Sequence, residues 1–459
     1  MKKSLVWLVV VLLCVSMVAA LSLAGCKPPV EEVEEVPVEE VEEVPVEEEV
    51  AEEAAGKKFE DVTLTIQMFS GPEAEAMEPT VAYWNENYAA QTGITVINLA
   101  LSRTGYFEKM QAQLMSGSAD PDIVHPFSLQ LGKLSMYLLP LDDYFKTELF
   151  SGPNGETYDF NDLYPAALAT TKAIDGKIYM VPKDMSEVLF YWRTDLLDKA
   201  PETWPEVIEI AKEFTKTENP ESPTPYGFGY QGKYEMWNFC SFLPIAWSFG
   251  AEMFDADGKP TFNTPEWVAA FKVLQDIAAF KGFQAGVENA EYPEIFATIQ
   301  NGEVPVGYEW NAAYRELTSP EISPKVGGKL AIAPPAKATA DGKNFMYVQT
   351  ICLAINKNCK NPDAAFKFLS WASFGEGAKL YEQAGGSSPL QSIWTTSSEP
   401  LPTIAKWLEF GKPAPAYEYI SDVIMIGSKK TQQVIIGELT AEEAAQAMQK
   451  EVEDFLLIR

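Results

Sequence analysis

Near residue 310 the chain reads VPVGYEWN, and its last three residues set a carboxylate, an indole and an amide in consecutive positions: Glu309, Trp310 and Asn311. Such a set suits a solute with an apolar C–H face and a rim of hydroxyls, as a sugar has. The ring can stack on the face while the polar pair fixes the hydroxyls. Parallel α/β sheets hold ligands beyond the carboxyl ends of their strands. That rule also picks out Ser70, behind the run Val62–Phe69, and His125 with Phe127, at the end of PDIVH and just past it. Each has a plainer reading, as a tryptophan packed under its own loop or a histidine satisfied at a strand end.

Catalysis finds little support in the same residues. His125 is the only histidine, so a Ser-His-Asp arrangement has one possible base, and no Gly-x-Ser-x-Gly elbow accompanies it. No Walker-type loop occurs, no Gly-x-Gly-x-x-Gly opens a helix after a strand, and the His-Glu-x-x-His zinc pattern is absent. A glycosidase needs only two carboxylates and stays open as an alternative. With 66 Asp+Glu in the chain, an abundance of acids does not argue for it. No cofactor and no metal site is expected.

The elements that must position these residues alternate. VTLTIQMF has period two, as a strand does. Met77, Val81, Trp84 and Tyr88 then share one helical face, ended by Gly93. ITVINLAL, YFEKMQAQLMSGSAD and PDIVH continue the order as strand, helix and strand, the pattern of a parallel sheet covered by helices. Two extended runs follow, Lys177–Val181 and Glu187–Arg193, joined by a short polar link. Thr203 with Glu206, and Thr440 with Glu443, have capping-box spacing. Thr264 is placed as an N-cap with Pro265 at the first helical position. A strand ends at Tyr308, and MYVQTICLAIN is another, followed by the helix NPDAAFKFLSWAS. No internal repeat appears after residue 58.

The start of the chain is different in kind. Lys2 and Lys3 precede the apolar run Leu5–Leu21, and Leu23-Ala24-Gly25-Cys26 closes it. This arrangement resembles a bacterial lipoprotein signal, in which residues 1–25 are removed and Cys26 carries the lipid. A signal-anchor helix is the alternative, because about 20 apolar residues can span a bilayer, but it gives no reason for Leu-Ala-Gly-Cys at the boundary. Pro29, Pro37 and Pro45 then recur among 13 Glu, with no aromatic residue between Cys26 and Lys58. Residues 26–58 cannot bury enough surface to offset their ordering entropy and read as an extended acidic tether, or else a charged interaction tail.

Residues 59–459 are enough for two lobes. Of the chain's 35 basic and 66 acidic residues, 5 and 13 lie before residue 59, which leaves a net charge of −23. So acidic a surface argues against nucleic acid and against docking on anionic lipid. Cys240, Cys352 and Cys359 are too few and too scattered for a zinc site or a disulfide framework, although one bridge is possible.

Six stretches in one order resemble the sugar-type extracellular solute-binding proteins of ABC importers, the group that includes maltose-binding protein. They are YFEKMQAQLMSGSADPDIV, GKIYMVPKDMSEVLFYWRTDLL, TWPEVIEIAKEFT, IFATIQNGEVPVGYEWNAAY, LAINKNCKNPDAAFKFLSWA and AGGSSPL. The resemblance implies two doubly wound α/β lobes, joined by hinge crossings, with the ligand in the cleft between them. Residues 59–183 plus 346–388 would form one lobe and 184–345 plus 389–459 the other. Closure on the ligand would present the chain to permease subunits at the extracytoplasmic face of the membrane. It further implies that Trp310 stacks on sugar, with Trp237 or Trp247 as a second aromatic contact. Asp184, Gln349 and Ser387, at the crossings, either reach the cleft or hydrogen-bond within the hinge loops, and Tyr417 and Tyr419 either line the second lobe or lie in a surface loop. A monomer held to the membrane only through Cys26 is expected. A polyamine, a phosphate ester or a peptide stays open as ligand: converging carboxylates would mark a cation, two arginines an anion.

Overall fold

The computed structural model describes residues 59–103, 105–415 and 417–459. The expected signal sequence, Cys26 and the expected acidic tether lie outside them. The first strand, β1 (Val62–Phe69), is followed by α1 (Pro72–Asn87), β2 (Ile94–Leu101), α2 (Tyr106–Met115) and the short β3 (Ile123–Val124). β1 pairs in parallel with both β2 and β3. Gly93 makes the turn into β2 at φ 75°, and a Cβ there would meet the Phe59 carbonyl at 1.7 Å, so no other residue fits. The Trp84 indole N–H reaches the Ile94 carbonyl at 2.9 Å and ties the helix to the strand it leads into.

Beyond β3 the topology departs from a purely parallel sheet. β4 runs from Val181 to Arg193 as one strand of 13 residues, buried from Val181 through Tyr191. The expected polar link between two shorter runs is therefore strand interior, with a register shift between Pro182 and Asp184. Through Glu187, β4 lies antiparallel to β8 (Met346–Ile355). From Val188 onward it lies antiparallel to β6 (Val306–Trp310) and β7 (Leu330–Ala333). β5 (Phe228–Gly229) adds to β6 in parallel, and β9 (Gly411–Lys412) to β8. The path β2-β1-β3-β8-β4-β6-β5 thus runs continuously through both lobes. Antiparallel pairing arises where the chain crosses over and comes back, and it makes the sheet mixed.

Each lobe has its own core. Ile66, Trp84, Leu353, Phe368 and Trp371 anchor the first. Phe190, Trp204, Phe228, Trp267 and Tyr308 anchor the second. Further helices cover the second lobe: α3 (Trp204–Glu213), α4 (Met236–Ser248), α5 (Pro265–Ala279), α6 (Tyr292–Gln300), and α9 (Ile420–Ile435) with α10 (Ala441–Leu457). α7 (Pro362–Phe374) packs on the first lobe and leads into α8 (Glu376–Gln383). The Thr203–Glu206 and Thr440–Glu443 capping boxes form as expected. Thr264 is the N-cap of α5, with Pro265 at N1, but its side chain makes no capping bond to the backbone. The three cysteines are buried and free, so the possible bridge is not formed.

Candidate functional site

Five strand ends and three helix starts converge on a cleft of about 460 Å³ between the lobes. The first lobe contributes Phe69 at the end of β1, Pro72 and Glu73 at the start of α1, Arg103 after β2, Phe127 after β3, and Gln349 and Ile351 from β8. From the other wall come Gln231 after β5, Trp237 in the first turn of α4, Tyr292 opening α6, and Trp310 closing β6. Ser186 of β4 forms part of the floor. Strand ends gather here because β1, β2, β3, β5 and β6 all point their carboxyl termini toward the opposite lobe, as the general rule for such sheets requires.

The aromatic residues form a box with edges in contact. Trp310 and Trp237 meet at 86° with centroids 5.6 Å apart, and Phe127 reaches across from the first lobe to Trp237 at 4.7 Å and 70°. Tyr347 holds the back of Trp310 at 80°. Trp310 is only 7% exposed, so its ring is set by its neighbours before any ligand arrives. The expected strand end at Tyr308 is two residues short, because Glu309 and Trp310 still pair with Leu189 and Val188 of β4.

The polar groups sort into two layers. Facing the cleft, Gln231 donates its amide to Glu309 Oε1 at 2.6 Å, and its own Oε1 is left without a partner. Gln349 is saturated: its Oε1 accepts from Tyr347, and its amide donates to Ser128 and to the Thr350 carbonyl. Arg103 lies over the Phe69 ring at 4.8 Å and donates to the Ser70 carbonyl at 3.3 Å. Glu73 turns a buried, unpartnered Oε2 to the same space. Burial above all, and then the charge of Asp184, push its carboxyl up to about 7, with Arg103 opposing.

Behind the wall lies a second set: Asn311, expected in the cleft, and Asp184 and Ser387, for which the sequence left cleft contact and hinge bonding both open. Asp184 accepts from the Ser387 N–H (2.8 Å), the Tyr381 hydroxyl (2.9 Å) and Ser186 (3.0 Å). Asn311 donates to Glu187 at 2.8 Å and to Ser387 Oγ at 3.2 Å. These bonds knit β4, the end of β6 and the segment after α8 together where the lobes join. Asp184, Ser387 and Asn311 are therefore hinge groups that do not line the cleft. Burial raises the Asp184 carboxyl despite its three donors, and raises Glu187 and Glu309 well above the carboxylate range. Glu309 lies one layer back, accepting from Gln231 and from the Trp310 N–H at 2.7 Å.

Several other expectations are corrected. Ser70 is exposed and offers the site only its carbonyl, to Arg103. His125 is wholly buried against Phe69 (5.5 Å, 27°) and lies outside the cleft lining. Burial, with Lys183 adding to it, lowers its imidazole to about 3. Trp247 stacks on Tyr347 as second-lobe core. Tyr417 and Tyr419 stack on each other at 5.1 Å, packed against Phe254. The structure brings together Trp310, Trp237, Phe127 and Gln349 of the predicted set, with Glu309 behind them. It adds Phe69, Glu73, Arg103, Ser186, Gln231, Tyr292 and Ile351.

Arg103 and Gln231 were findable, since each lies two residues past a strand, where the rule that selected His125 also applies. Glu73 begins the helix after β1, an equally regular place. Ser186 and Tyr292 carry no such signal. The string Gly227-Phe228-Gly229-Tyr230-Gln231-Gly232 has the spacing of a nucleotide fingerprint, but β5 occupies its centre and α4 starts only at Met236. Its outer glycines serve packing: a Cβ on Gly227 would strike the Ala211 backbone at 1.9 Å, and one on Gly232 the Val287 carbonyl at 2.5 Å.

Outside the box the cleft opens into a vestibule of about 1280 Å³. Lys133 of the first lobe and Asp422 of α9 form an ion pair across it at 2.8 Å.

Comparison with known proteins agrees with this architecture. The profile of the family described as bacterial extracellular solute-binding protein matches residues 70–379. A probable amino-acid ABC transporter periplasmic-binding protein, y4oP of Sinorhizobium fredii, is 25% identical over 334 residues, covering 70% of this chain and 73% of that one. A probable ABC transporter-binding protein of Deinococcus radiodurans is 29% identical over 219 residues, 46% of this chain and 51% of its own. Among solved structures, maltose-bound MalE3 of T. maritima superposes with a TM-score of 0.76 at 22% identity, covering 86% of this chain and all of that one. A solute-binding protein of Agrobacterium radiobacter in complex with ribitol superposes with a TM-score of 0.73 at 20% identity, covering 87% and 100%. At those identities the structures share the fold, a two-lobed binding protein. With a family match spanning more than half its length, the chain belongs to the bacterial extracellular solute-binding proteins, which capture substrate for ABC importers.

Proposed function

We propose that the cleft takes a small neutral polyhydroxylated solute, a sugar or short oligosaccharide, and that the closed lobes deliver it to an ABC permease without chemical change. The carrying observation is the right-angled Trp310–Trp237 corner beside a Gln231 amide whose orientation Glu309 fixes. A ring face takes the C–H side of a pyranose, and the free Gln231 Oε1 accepts from a hydroxyl. One arginine and one carboxylate line this space, which fits neither the cluster of acids a polyamine needs nor the two arginines of an anion site. That the solved neighbours hold maltose and ribitol supports the same class.

A second reading has one observation behind it. Arg103 and Glu73 on the same wall could take the carboxylate and ammonium of an amino acid, the solute class in the name of the Sinorhizobium relative. A thermal-shift screen of residues 57–459 against sugars, polyols, amino acids and phosphate esters separates the two. A binder present at about 100 times its Kd raises stability by about 2.7 kcal/mol. A sugar hit that disappears in Trp310→Ala supports the first reading; hits confined to amino acids overturn it.

The chain works as a monomer with no catalytic step, its lobes divided at residues 183–184, 345–346 and 388–389. Residues 1–25 serve as the signal, Cys26 takes the lipid, and residues 26–58 tether the lobes at the extracytoplasmic face, which raises their effective concentration near the permease. Cys26→Ser should move the protein from the membrane to the soluble fraction. Shortening residues 28–56 should impair transport and leave solute affinity as it was.

A further inference from the structure

Among the described residues, Glu73 is the one carboxylate lining the inner cleft, and Arg103 the one guanidinium. They belong to neighbouring loops of the first lobe, and Gly71 lets them approach. A Cβ on Gly71 would come within 2.7 Å of Arg103 Nη1 and 3.4 Å of Glu73 Oε2. Among the described residues no ion pair joins them, so each keeps bonding capacity directed at the cleft. Other groups act on Glu73 from every side. Asp184 of β4 and Glu75 on its own helix repel its charge, Arg103 attracts it, and the hydroxyls of Tyr381 on α8 and Tyr292 on α6 are close enough to feel it. Glu376, also on α8, is occupied by the hydroxyls of Tyr83 and Tyr88.

We propose that Glu73 selects solutes by charge: ionised, it accepts hydroxyls of a neutral solute beside Arg103; protonated, it leaves Arg103 uncompensated, and the cleft admits an anionic one. The physical basis is that an ionised carboxylate makes the stronger bond to a hydroxyl, whereas an anion near it pays like-charge repulsion. This rests on the sugar reading above and deepens it, adding sugar acids to the solutes taken at lower pH.

The test uses D-glucose and D-glucuronate, a pair matched in size, the latter ionised throughout the range used. Calorimetric titrations at about pH 5.5 and about pH 8.5 bracket the Glu73 transition at about 7. If only the protonated form takes glucuronate, the competent fraction falls from about 97% to about 3%, and affinity by about 30-fold. Glu73→Gln should hold glucuronate equally at both pH values, at the level the native chain reaches at the lower one. Equal glucuronate affinity at the two pH values in the native chain overturns the proposal, as does a pH dependence that persists in Glu73→Gln. Glucuronate binding that weakens as pH rises, without glucose binding at either pH, would overturn the neutral-sugar reading and the hydroxyl-accepting half of the proposal, and keep only the exclusion of anions by ionised Glu73. Should neither probe bind, melting curves decide. The folded carboxyl lies above its ordinary value of 4.5, so its ionisation costs stability as pH rises through that window. The melting temperature of Glu73→Gln should therefore gain on the native chain between about pH 4.5 and 7, and a constant difference refutes the idea.

Discussion

The ion pair between Lys133 and Asp422 is directly exposed to lobe motion, because its partners sit on opposite walls of the vestibule. At 2.8 Å in a water-like dielectric, the Coulomb attraction is about 1.5 kcal/mol. The two side chains are 35% and 38% exposed, so screening and the entropy of holding two flexible groups reduce that to about 0.2–1 kcal/mol. Opening the lobes separates the charges, so the whole of this small term counts toward closure. Ligand affinity scales with the closed population. Removing the pair should thus weaken binding by about 1.4- to 5-fold without touching any residue of the aromatic box.

A double-mutant cycle with Lys133→Met, Asp422→Asn and the pair of them measures this, with solute affinity from calorimetry and lobe distance from single-molecule fluorescence transfer. The coupling should fade between about 0.15 M and 1 M salt, as the Debye length falls from about 8 to 3 Å. The exposed Lys146–Asp143 pair, formed within one helical turn, is the control and should leave affinity unchanged. Strictly additive single effects, or a coupling indifferent to salt, would falsify the latch.

Three other outcomes follow from the same geometry. Trp310→Ala should reduce solute affinity by at least about tenfold and lower the melting temperature, since the indole both faces the cleft and braces Trp237; unchanged affinity would remove Trp310 from the site. Tyr381→Phe removes one of three donors to the buried Asp184 carboxylate and should cost about 1.5–3 kcal/mol in denaturant melts, with a shift in the open–closed balance; a neutral result would mean the hinge knot carries no weight. His125 binds its proton only near pH 3 when folded but near 6.5 when unfolded, so the unfolded chain takes up more protons in that window. Stability should fall as pH drops through it, by at most about 1.4 kcal/mol per unit, and His125→Phe should flatten that limb of the curve.

Much of the fold was legible because its first elements follow simple periodicities. The alternation of β1, the one-sided face of α1 and the forced glycine at Gly93 all act locally. The first half of β4 was read as a link before the run Glu187–Arg193 because Lys183, Asp184 and Ser186 look like a polar connection, and of the expected run Lys177–Val181 only Val181 is in the strand. All three are buried, as is Glu187 beyond them. Lys183 is satisfied by the Ala372 carbonyl at 2.8 Å and the Tyr381 ring at 3.7 Å, and both partners lie nearly two hundred residues away. Local pattern cannot see compensation that distant, and the expected loop became the strand that both lobes share.

The same cause explains the mixed result at the site. A polar residue near a lobe crossing can face either the solute or the crossing itself, and the two uses call for the same side chains. Asp184, Asn311 and Ser387 face the crossing, where three donors surround one carboxylate and leave it nothing to offer a ligand. Gln349 is also fully engaged, and Glu309, one layer back, accepts twice at Oε1 while its buried Oε2 has no partner; both act on the cleft through what they hold in place. The groups with capacity to spare are Arg103, Glu73 and the Gln231 carbonyl, all found just past strand ends on the first three residues of a loop or helix. Bonding capacity left over, more than polarity as such, marks where a solute will be held, and it becomes countable only once the chain's distant partners are in place.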